Sequence, residues 1–317
     1  MINNELEAAG ISDPRLRDAY RECRDVNAAH GRTFFLATRL LAPDQRPPVH
    51  ALYGFARHAD DILDEFNPDL DTDMRAERLR ELAERFFADD DDPSDPVLVA
   101  ARHTARRYGI DRQLFDDFLA SMRMDLTVTD YPDRAALNTY MRGSAEAIGL
   151  QILPILGTVA NADEAAPYAA ALGRAFQLTN FLRDVDEDLM RQRIYLPADE
   201  LAAHGVDRDV LMWCHTHRRT DTRVRAALAA QHAITRDVYR SSAPGIALLA
   251  PRSRPCVATA LTLYQEILGR IEDSGFAVFG HRATVGTARR LRVAGAGLIR
   301  SWRVRLAHSA DRRPGAA

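Results

Sequence analysis

Asn180, Asp184 and Asp188 recur every four residues within the stretch 177–197, QLTNFLRDVDEDLMRQRIYLP. On a helix each step of four rotates by about 40°, so the three side chains form a slanting row along one face over roughly two turns. They offer only oxygen ligands, which suit a hard cation such as Mg2+ and not zinc. Mg2+ takes few protein carboxylates and completes its shell with water and phosphate oxygens. A solvated acidic face is the competing reading. Against it, Arg183, Arg191 and Arg193 are interleaved with the acids, and apolar Phe176, Leu178 and Phe181 flank the row. The helix should therefore face a core, with anion-binding groups beside metal-binding ones.

A second row lies about 120 residues upstream, in the stretch 51–65, ALYGFARHADDILDE. Asp60 and Asp64 again stand four apart, with Asp61 between them; Arg57 precedes Asp60 by three and Tyr53 precedes Arg57 by four. One helix thus carries Tyr, Arg, Asp and Asp in a column. Leu52, Phe55, Ala56, Ala59, Ile62 and Leu63 occupy its other faces and read as core. Acidic rows held against a core repel themselves unless cations neutralise them. Two such rows facing one another across a cavity would hold a cluster of Mg2+ ions, with Mn2+ as a substitute. Such a cluster binds a diphosphate and stabilises it as a leaving group.

Periods near 3.6 dominate and no strand pattern is present, so the expected fold is all-α, with helices around a central apolar cavity. Helices are expected over 14–29, 49–65, 74–87, 97–108, 112–125, within 163–188, over 223–240 and over 257–271, the last well-patterned one, with 198–217 turning at Gly205. The run 43–48 reads as a break, 67–73 as a loop, and the acidic run 89–92, followed by Pro93, as a solvated loop. The segment 137–160 is apolar and rich in small residues, among them Gly143, Ser144, Ala145, Ala147 and Gly149. Such a helix lets another helix, or a long flat ligand, approach closely. Glu146 within it is expected to turn outward.

The motifs Arg57-x-x-Asp60-Asp61-x-x-Asp64-Glu65, Gln177-x-x-Asn180-x-x-Arg183-Asp184-x-x-x-Asp188 and Arg193-Ile-Tyr-Leu-Pro197 together resemble the squalene/phytoene synthase family. These enzymes condense prenyl diphosphates head to head. His30-Gly31-Arg32-Thr33-Phe34 is similar to the family's N-terminal diphosphate-contacting segment. The stretch from Tyr264 through Ile267, Ile271, Gly275 and Phe279 to Arg282-Ala283 is similar to its C-terminal helix and turn.

The resemblance implies an isoprenoid-synthase-like helical bundle in one domain, 1–317, with a basic tail from about 286. It implies metal ligands at Asp60, Asp64, Asn180, Asp184 and Asp188. Catalytic roles would fall to Tyr53, Arg57, Asp60, Asp64, Arg183, Asp184 and Tyr264. Substrate would be held by His30, Arg32, Thr33, Gln177, Asn180, Arg193 and Arg282. The helix over 137–160 would line the hydrophobic tunnel, although Ser144-Ala-Glu-Ala-Ile-Gly149 departs from the Val-Ala-Gly-Thr-Val-Gly of many relatives. The expected reaction joins two geranylgeranyl diphosphates to phytoene through a cyclopropyl (prephytoene) diphosphate. The alternative runs on farnesyl diphosphate to squalene, dehydrosqualene or presqualene diphosphate, and NADPH is expected only if the product is squalene. A non-catalytic relative, or a cyclase of one prenyl diphosphate, is the reading from another class. The filled ligand positions oppose the first, and Arg193-Ile-Tyr-Leu-Pro197 the second.

Composition bounds the partners. The net charge of -3 implies no general attraction to nucleic acid. All 42 basic residues are arginine, a side chain that grips phosphate bidentately. Cys23, Cys214 and Cys256 are few and far apart, which fits a reducing cytoplasm. The N-terminus lacks the regions of a signal peptide, and there is neither an apolar run of membrane-spanning length nor the C-terminal anchor of some relatives. Cys214-His215-Thr216-His217 has the residue types of a soft-metal site but no partner pair. Gly295-Ala-Gly297 follows no strand and is not a dinucleotide fingerprint. Nine arginines run from Arg282 to Arg313 against one acid, Asp311. That tail could be solvated, could touch the inner face of a membrane peripherally, or could place Arg282 over a diphosphate.

Overall fold

The computed structural model of the chain describes residues 2–64, 71–88, 95–159 and 161–311, with backbone alone for 32, 33, 64 and 303–311. The loop around 67–70 and the acidic run 89–92 lie outside the described residues. In chain order the helices are α1 (Ile2–Ala8), α2 (Pro14–His30), α3 (Arg32–Thr38), α4 (Arg46–Asp64), α5 (Thr72–Phe87), α6 (Pro96–Tyr108), α7 (Arg112–Met124) and α8 (Arg134–Met141). There follow α9 (Ala147–Leu156), α10 (Ala162–Arg183), α11 (Val185–Met190), α12 (Ala198–Ala202), α13 (Arg208–His217), α14 (Thr222–Ser242), α15 (Arg254–Asp273) and α16 (Thr287–Asp311). Among the described residues there is no strand, only two isolated bridges, Asp130 to Ile194 and Thr158 to Leu249.

Local chemistry explains the boundaries. Asp13, Asp71, Asp95, Asp111, Asp133, Asp207 and Asp221 each cap a helix N-terminus with a side-chain oxygen, satisfying amides that have no partner in the first turn. The expected break over 43–48 is shorter than its prolines suggested. Only Pro43–Gln45 forms a separate 3-10 turn; Pro47 and Pro48 sit in the first turn of α4, where a missing amide proton costs nothing. The segment 137–160 is not one helix. It passes from α8 through a π turn, Arg142–Glu146, into α9.

The small residues of that segment serve helix packing as well as the cavity. A Cβ on Gly143 would stand 1.9 Å from the Asp117 carbonyl oxygen. One on Gly149 would stand 2.4 Å from that of Ala169, and one on Gly173 2.4 Å from that of Ala145. Three backbones thus approach as closely as glycine permits. Glu146 is not in the cavity wall and not in open solvent: its carboxylate forms an ion pair with Arg174 of α10, Oε1 lying 3.1 Å from Nε.

α10 is the spine, packed against α9, α14 and α15. Around it lies the main core, including Leu137, Met141, Leu178, Leu182, Leu228, Leu263 and Ile271. A second core, with Leu52, Phe55, Leu79, Phe86, Phe115 and Leu119, joins α4 to α5, α6 and α7. Each such side chain, fully buried, contributes roughly 1.5–3 kcal/mol. α1 is tied down by Glu5, which is buried and accepts from Arg39 at 2.8 Å and Arg46 at 2.7 Å. Among the described residues no helix is long and apolar enough to cross a membrane.

Two glycines test this packing. Gly143→Val should cost on the order of 2–3 kcal/mol in a urea melt, because the Asp117 backbone cannot yield. Gly269→Ala, in α15 with nothing within 4 Å of the new Cβ, should instead gain up to about 1 kcal/mol.

Candidate active site

The two carboxylate-bearing helices meet across one cavity of about 570 Å3. Tyr53, Arg57 and Asp60 of α4 line it from one side. Gln177, Asn180 and Arg183 of α10, with Asp184 and Asp188, line it from the other. α4 is held in register by Phe55 and Ala59, buried away from the cavity, while Leu52 and Leu63 are buried at its wall. Asp61 turns away, toward a surface cleft between α4 and α5. Arg57 bridges the two acids, with Nη1 3.5 Å from Asp60 and Nη2 donating to Asp61.

The second row is not one unbroken helix over 163–188. Asp184 leaves helical geometry at φ -104°, ψ 13°, and α11 begins after it. The backbone ladder still crosses the break: Asp184 N–H reaches the Asn180 carbonyl, and Asp188 N–H the Asp184 carbonyl, each at 2.8 Å. The row therefore keeps its spacing while its axis bends at the middle ligand. A short carboxylate at a helix end is well placed for this, because its charge is held by side chains rather than by the helix. Arg183 donates to both Asp184 oxygens at 2.7 and 2.5 Å, and Arg282 adds Nε–H at 2.8 Å. Burial works to raise this carboxyl, but those hydrogen bonds and charges outweigh it and hold Asp184 below the usual carboxylate range.

Asp188 is the opposite case. Burial first, and then the charge of Asp184, push its carboxyl up to about 7, against the pull of Arg191 and Arg193. The Oδ1 of Asn180, in the same row, is buried without a hydrogen-bond partner. A carboxylate in want of positive charge and an orphaned amide oxygen in the wall of one cavity are donors of the kind that suit a hard divalent cation. Among the described residues no three carboxylate, imidazole or thiolate side chains form a metal cage by themselves. Asp64 ends α4, and its side chain, like those of Arg32 and Thr33, lies outside the described residues.

The remaining predicted residues divide. Tyr264 lines the cavity, stacked on Phe176 at 4.2 Å and 6.2 Å from Phe34, which in turn lies 6.4 Å from Tyr53. Burial raises the Tyr264 hydroxyl, whose neighbours are Arg183 and Asn180. Arg193 also faces the cavity. Arg282 reaches Asp184 from the rim and lies 3.5 Å from Glu187. His30 is exposed at the end of α2 and is not in the cavity wall. His215, away from the cavity wall, pairs with Asp186 at 2.6 Å, while His217 bonds the Trp213 carbonyl.

One group escaped sequence reasoning. Asp125, buried in the cavity wall, accepts Tyr140 O–H at 2.8 Å and Tyr195 O–H at 3.0 Å, while its carbonyl takes Arg193 Nη2 at 2.7 Å. Tyr131 packs on both tyrosines, and Phe181 stacks on Tyr195 at 4.4 Å. These residues lie up to 70 positions apart and share no periodicity; backbone contacts of Ile194, Ala198 and Asp199 with 129–132 help bring them together.

Beyond its polar mouth the cavity is apolar. Along α10 its wall runs through Ala165, Ala169, Leu172, Gly173 and Phe176, roughly 17 Å at the helical rise. Ser144, Ala145, Ile148, Gly149, Ile152 and Leu153 of the small-residue segment face it.

Residues 27–289 match the model of a family described as squalene/phytoene synthase. A phytoene synthase of Arthrospira platensis is 36% identical over 285 residues, 86% of this chain and 90% of that protein. A chloroplastic phytoene synthase of Narcissus pseudonarcissus is 36% identical over 281 residues, 87% of this chain, which spans 65% of that longer relative. Among solved structures, a dehydrosqualene synthase with bound ligand superimposes with a TM-score of 0.79 at 25% identity, covering 89% of this chain and 96% of that one. A squalene synthase of Alicyclobacillus acidocaldarius gives 0.74 at 25% identity, over 85% and 98%.

The raised Asp188 carboxyl has a measurable consequence. An acid that binds its proton more tightly folded than unfolded contributes stability fully below its ordinary pKa, near 4, and loses it as pH rises through its folded value, about 7. Metal-free wild type should therefore lose stability relative to Asp188→Asn across that window. Urea midpoints measured from acid to neutral pH check this, and parallel curves would contradict the placement of Asp188.

Proposed function

The chain belongs to the squalene/phytoene synthase family, and on that premise we propose that it condenses two geranylgeranyl diphosphates head to head to give phytoene. The observation that carries this reading is one cavity lined by Asp60 on one side and by Asn180, Asp184 and Asp188 on the other, with an apolar depth. The C20 choice follows the relatives at 36% identity, which are phytoene synthases.

Asp60 and Asp64 on α4, with Asn180, Asp184 and Asp188 across the cavity, would hold Mg2+. When bound, the metal neutralises the diphosphate and makes it a better leaving group. Arg57, Arg183, Arg193 and Arg282 present planar, bidentate donors to phosphate oxygens. Arg183 and Arg282 already grip Asp184, so an arriving diphosphate exchanges with a carboxylate for the same guanidinium protons.

Departure of the first diphosphate leaves an allylic cation, attacked by the C2=C3 double bond of the second substrate. Loss of a proton closes the cyclopropyl diphosphate. A second ionisation and rearrangement give the 1'-1 linkage, and a final proton loss gives the hydrocarbon without NADPH. Water must be kept from these cations, which is the work of the apolar wall. The faces of Phe34, Tyr53 and Tyr264 add cation–π attraction of about 0.5–2 kcal/mol each. His30, Arg32 and Thr33 belong in this reading to the N-terminal diphosphate contact. The enzyme would work in the cytoplasm, in peripheral contact with the membrane that takes its product.

Purified protein incubated with C15 or C20 diphosphate, with and without NADPH, tests this directly. Phytoene from the C20 substrate, independent of NADPH and lost on chelation, is expected; turnover of the C15 substrate alone would overturn the assignment. Asp60→Ala and Asp184→Ala should each abolish turnover and keep their helical content by circular dichroism. Normal rates in either would refute the metal-ligand roles.

A further inference from the structure

The proposed reaction sheds protons inside a cavity that must exclude water, so a base has to stand in the wall. Among the described residues four carboxylates line that cavity: Asp60, Asp125, Asp184 and Asp188. Three of them are metal ligands in the synthase reading. A diphosphate gripped by metal and arginines is a poor base as well, because the surrounding positive charge favours its deprotonated form. The fourth carboxylate, Asp125, has been given no chemical part.

Its surroundings suit a proton. Asp125 follows the last turn of α7 and is buried. Its two oxygens meet two phenols: Oδ1 accepts from Tyr195 at 3.0 Å and Oδ2 from Tyr140 at 2.8 Å. Both tyrosines line the cavity too. A phenol that donates to a carboxylate has lone pairs with which to accept another proton. Of the two, Tyr195 is the less buried, 9% exposed against 3% for Tyr140. It stands two residues after Arg193, whose Nη2 donates to the Asp125 carbonyl at 2.7 Å and which also lines the cavity. In the reading above Arg193 grips diphosphate, so phenol and carboxylate are fixed beside the place where the cation forms. The stacking of Phe181 on the Tyr195 ring at 4.4 Å limits its movement.

We propose that Tyr195 takes the proton lost as the cyclopropyl diphosphate closes, with Asp125 as the residue that positions it and receives its own proton in turn. The C–H bond at C1 of the ionised substrate breaks, and its electron pair closes the ring onto the cationic carbon. The proton passes to Tyr195 Oη, whose O–H proton passes to Asp125 Oδ1. The carboxylate ends neutral and the phenol is restored. Water entering the mouth as diphosphate leaves takes the proton back through the same phenol. This assignment rests on the synthase reading.

The experiment uses the full chain with geranylgeranyl diphosphate, unlabelled and deuterated at C1, and follows diphosphate release, cyclopropyl diphosphate and hydrocarbon separately. Tyr195→Phe and Asp125→Asn should still release diphosphate, while cyclopropyl diphosphate falls by about a hundredfold or more. The unquenched cations should appear as alcohols and dienes, and deuterium should slow ring closure more in the variants than in wild type. Circular dichroism checks that each variant is folded; should Asp125→Asn fail to fold, Tyr195→Phe decides alone, because it keeps the stacked ring. Ring closure at the wild-type rate in folded Tyr195→Phe would overturn the proposal. So would a parallel loss of diphosphate release and ring closure with an unchanged isotope effect, the result of a merely structural corner. A wild type that releases no diphosphate from the C20 or C15 substrate removes the synthase reading and this assignment with it, an outcome distinct from the other two.

Discussion

Carboxylates in a low-dielectric cavity repel one another, and the site is organised around answering that repulsion. In the protein alone the answer at Asp184 is two guanidinium groups, Arg183 from the adjoining residue and Arg282 from 98 residues away. At Asp60 it is Arg57, one turn back on the same helix. Asp188 receives less help, and its carboxyl consequently rises to about 7. The charge that remains uncompensated is thus concentrated at the Asp188 end of the α10–α11 row, while at the other end the amide oxygen of Asn180 is buried without a partner. In the proposed reading a divalent cation and a diphosphate would enter such a site together, since each supplies the charge the other needs.

α10 joins the polar mouth to the apolar depth, and the same helix makes both possible. Its glycine and alanines admit the π turn and α9 at backbone contact, so the wall at that end is smooth and apolar. Toward its C-terminus the exposed face changes to Gln177, Asn180 and Arg183, and the helix breaks at Asp184. The break costs little because the backbone hydrogen bonds to Asn180 and Asp184 persist across it. It also frees Asp184 to be gripped from two directions.

How far the sequence carried the reading depends on the range of each interaction. Spacings of three and four residues encode a helix face, so Tyr53, Arg57 and Asp60, and Asn180, Asp184 and Asp188, were legible as columns before any coordinates. Apolar flanks on the same helices indicated that the columns face a core, and one cavity receives both. The bend at Asp184 was not legible, because an unbroken 3.6 period and a period with one distorted residue have the same pattern of apolar positions. The contact of Arg282 with Asp184 and the clustering of Tyr140 and Tyr195 on Asp125 were not legible either. These contacts span 98, 15 and 70 residues and depend on how loops return, about which residue type and spacing say nothing. The small-residue segment was read for its ligand and packing roles together, and its glycines serve both.

The Asp125 cluster and the Asp184 cluster illustrate two uses of a buried carboxylate in one wall. Asp125 is satisfied by neutral hydroxyls from Tyr140 and Tyr195, which are themselves fixed among Tyr131 and Phe181. Replacing those partners would leave unpaired groups in a packed core, at roughly 1–3 kcal/mol each, so this corner is rigid. Asp184 is satisfied instead by flexible arginine side chains, one of them partly exposed, whose guanidinium groups suit phosphate as well as carboxylate. Rigidity at Asp125 holds Arg193 through the backbone carbonyl and sets the shape of the wall. In the proposed reading, exchangeable pairing at Asp184 would let charge be redistributed when substrate arrives. The fixed carboxylate at Asp125 and the exchangeable one at Asp184 thus stand in the wall of one cavity, and the proposed chemistry would use both.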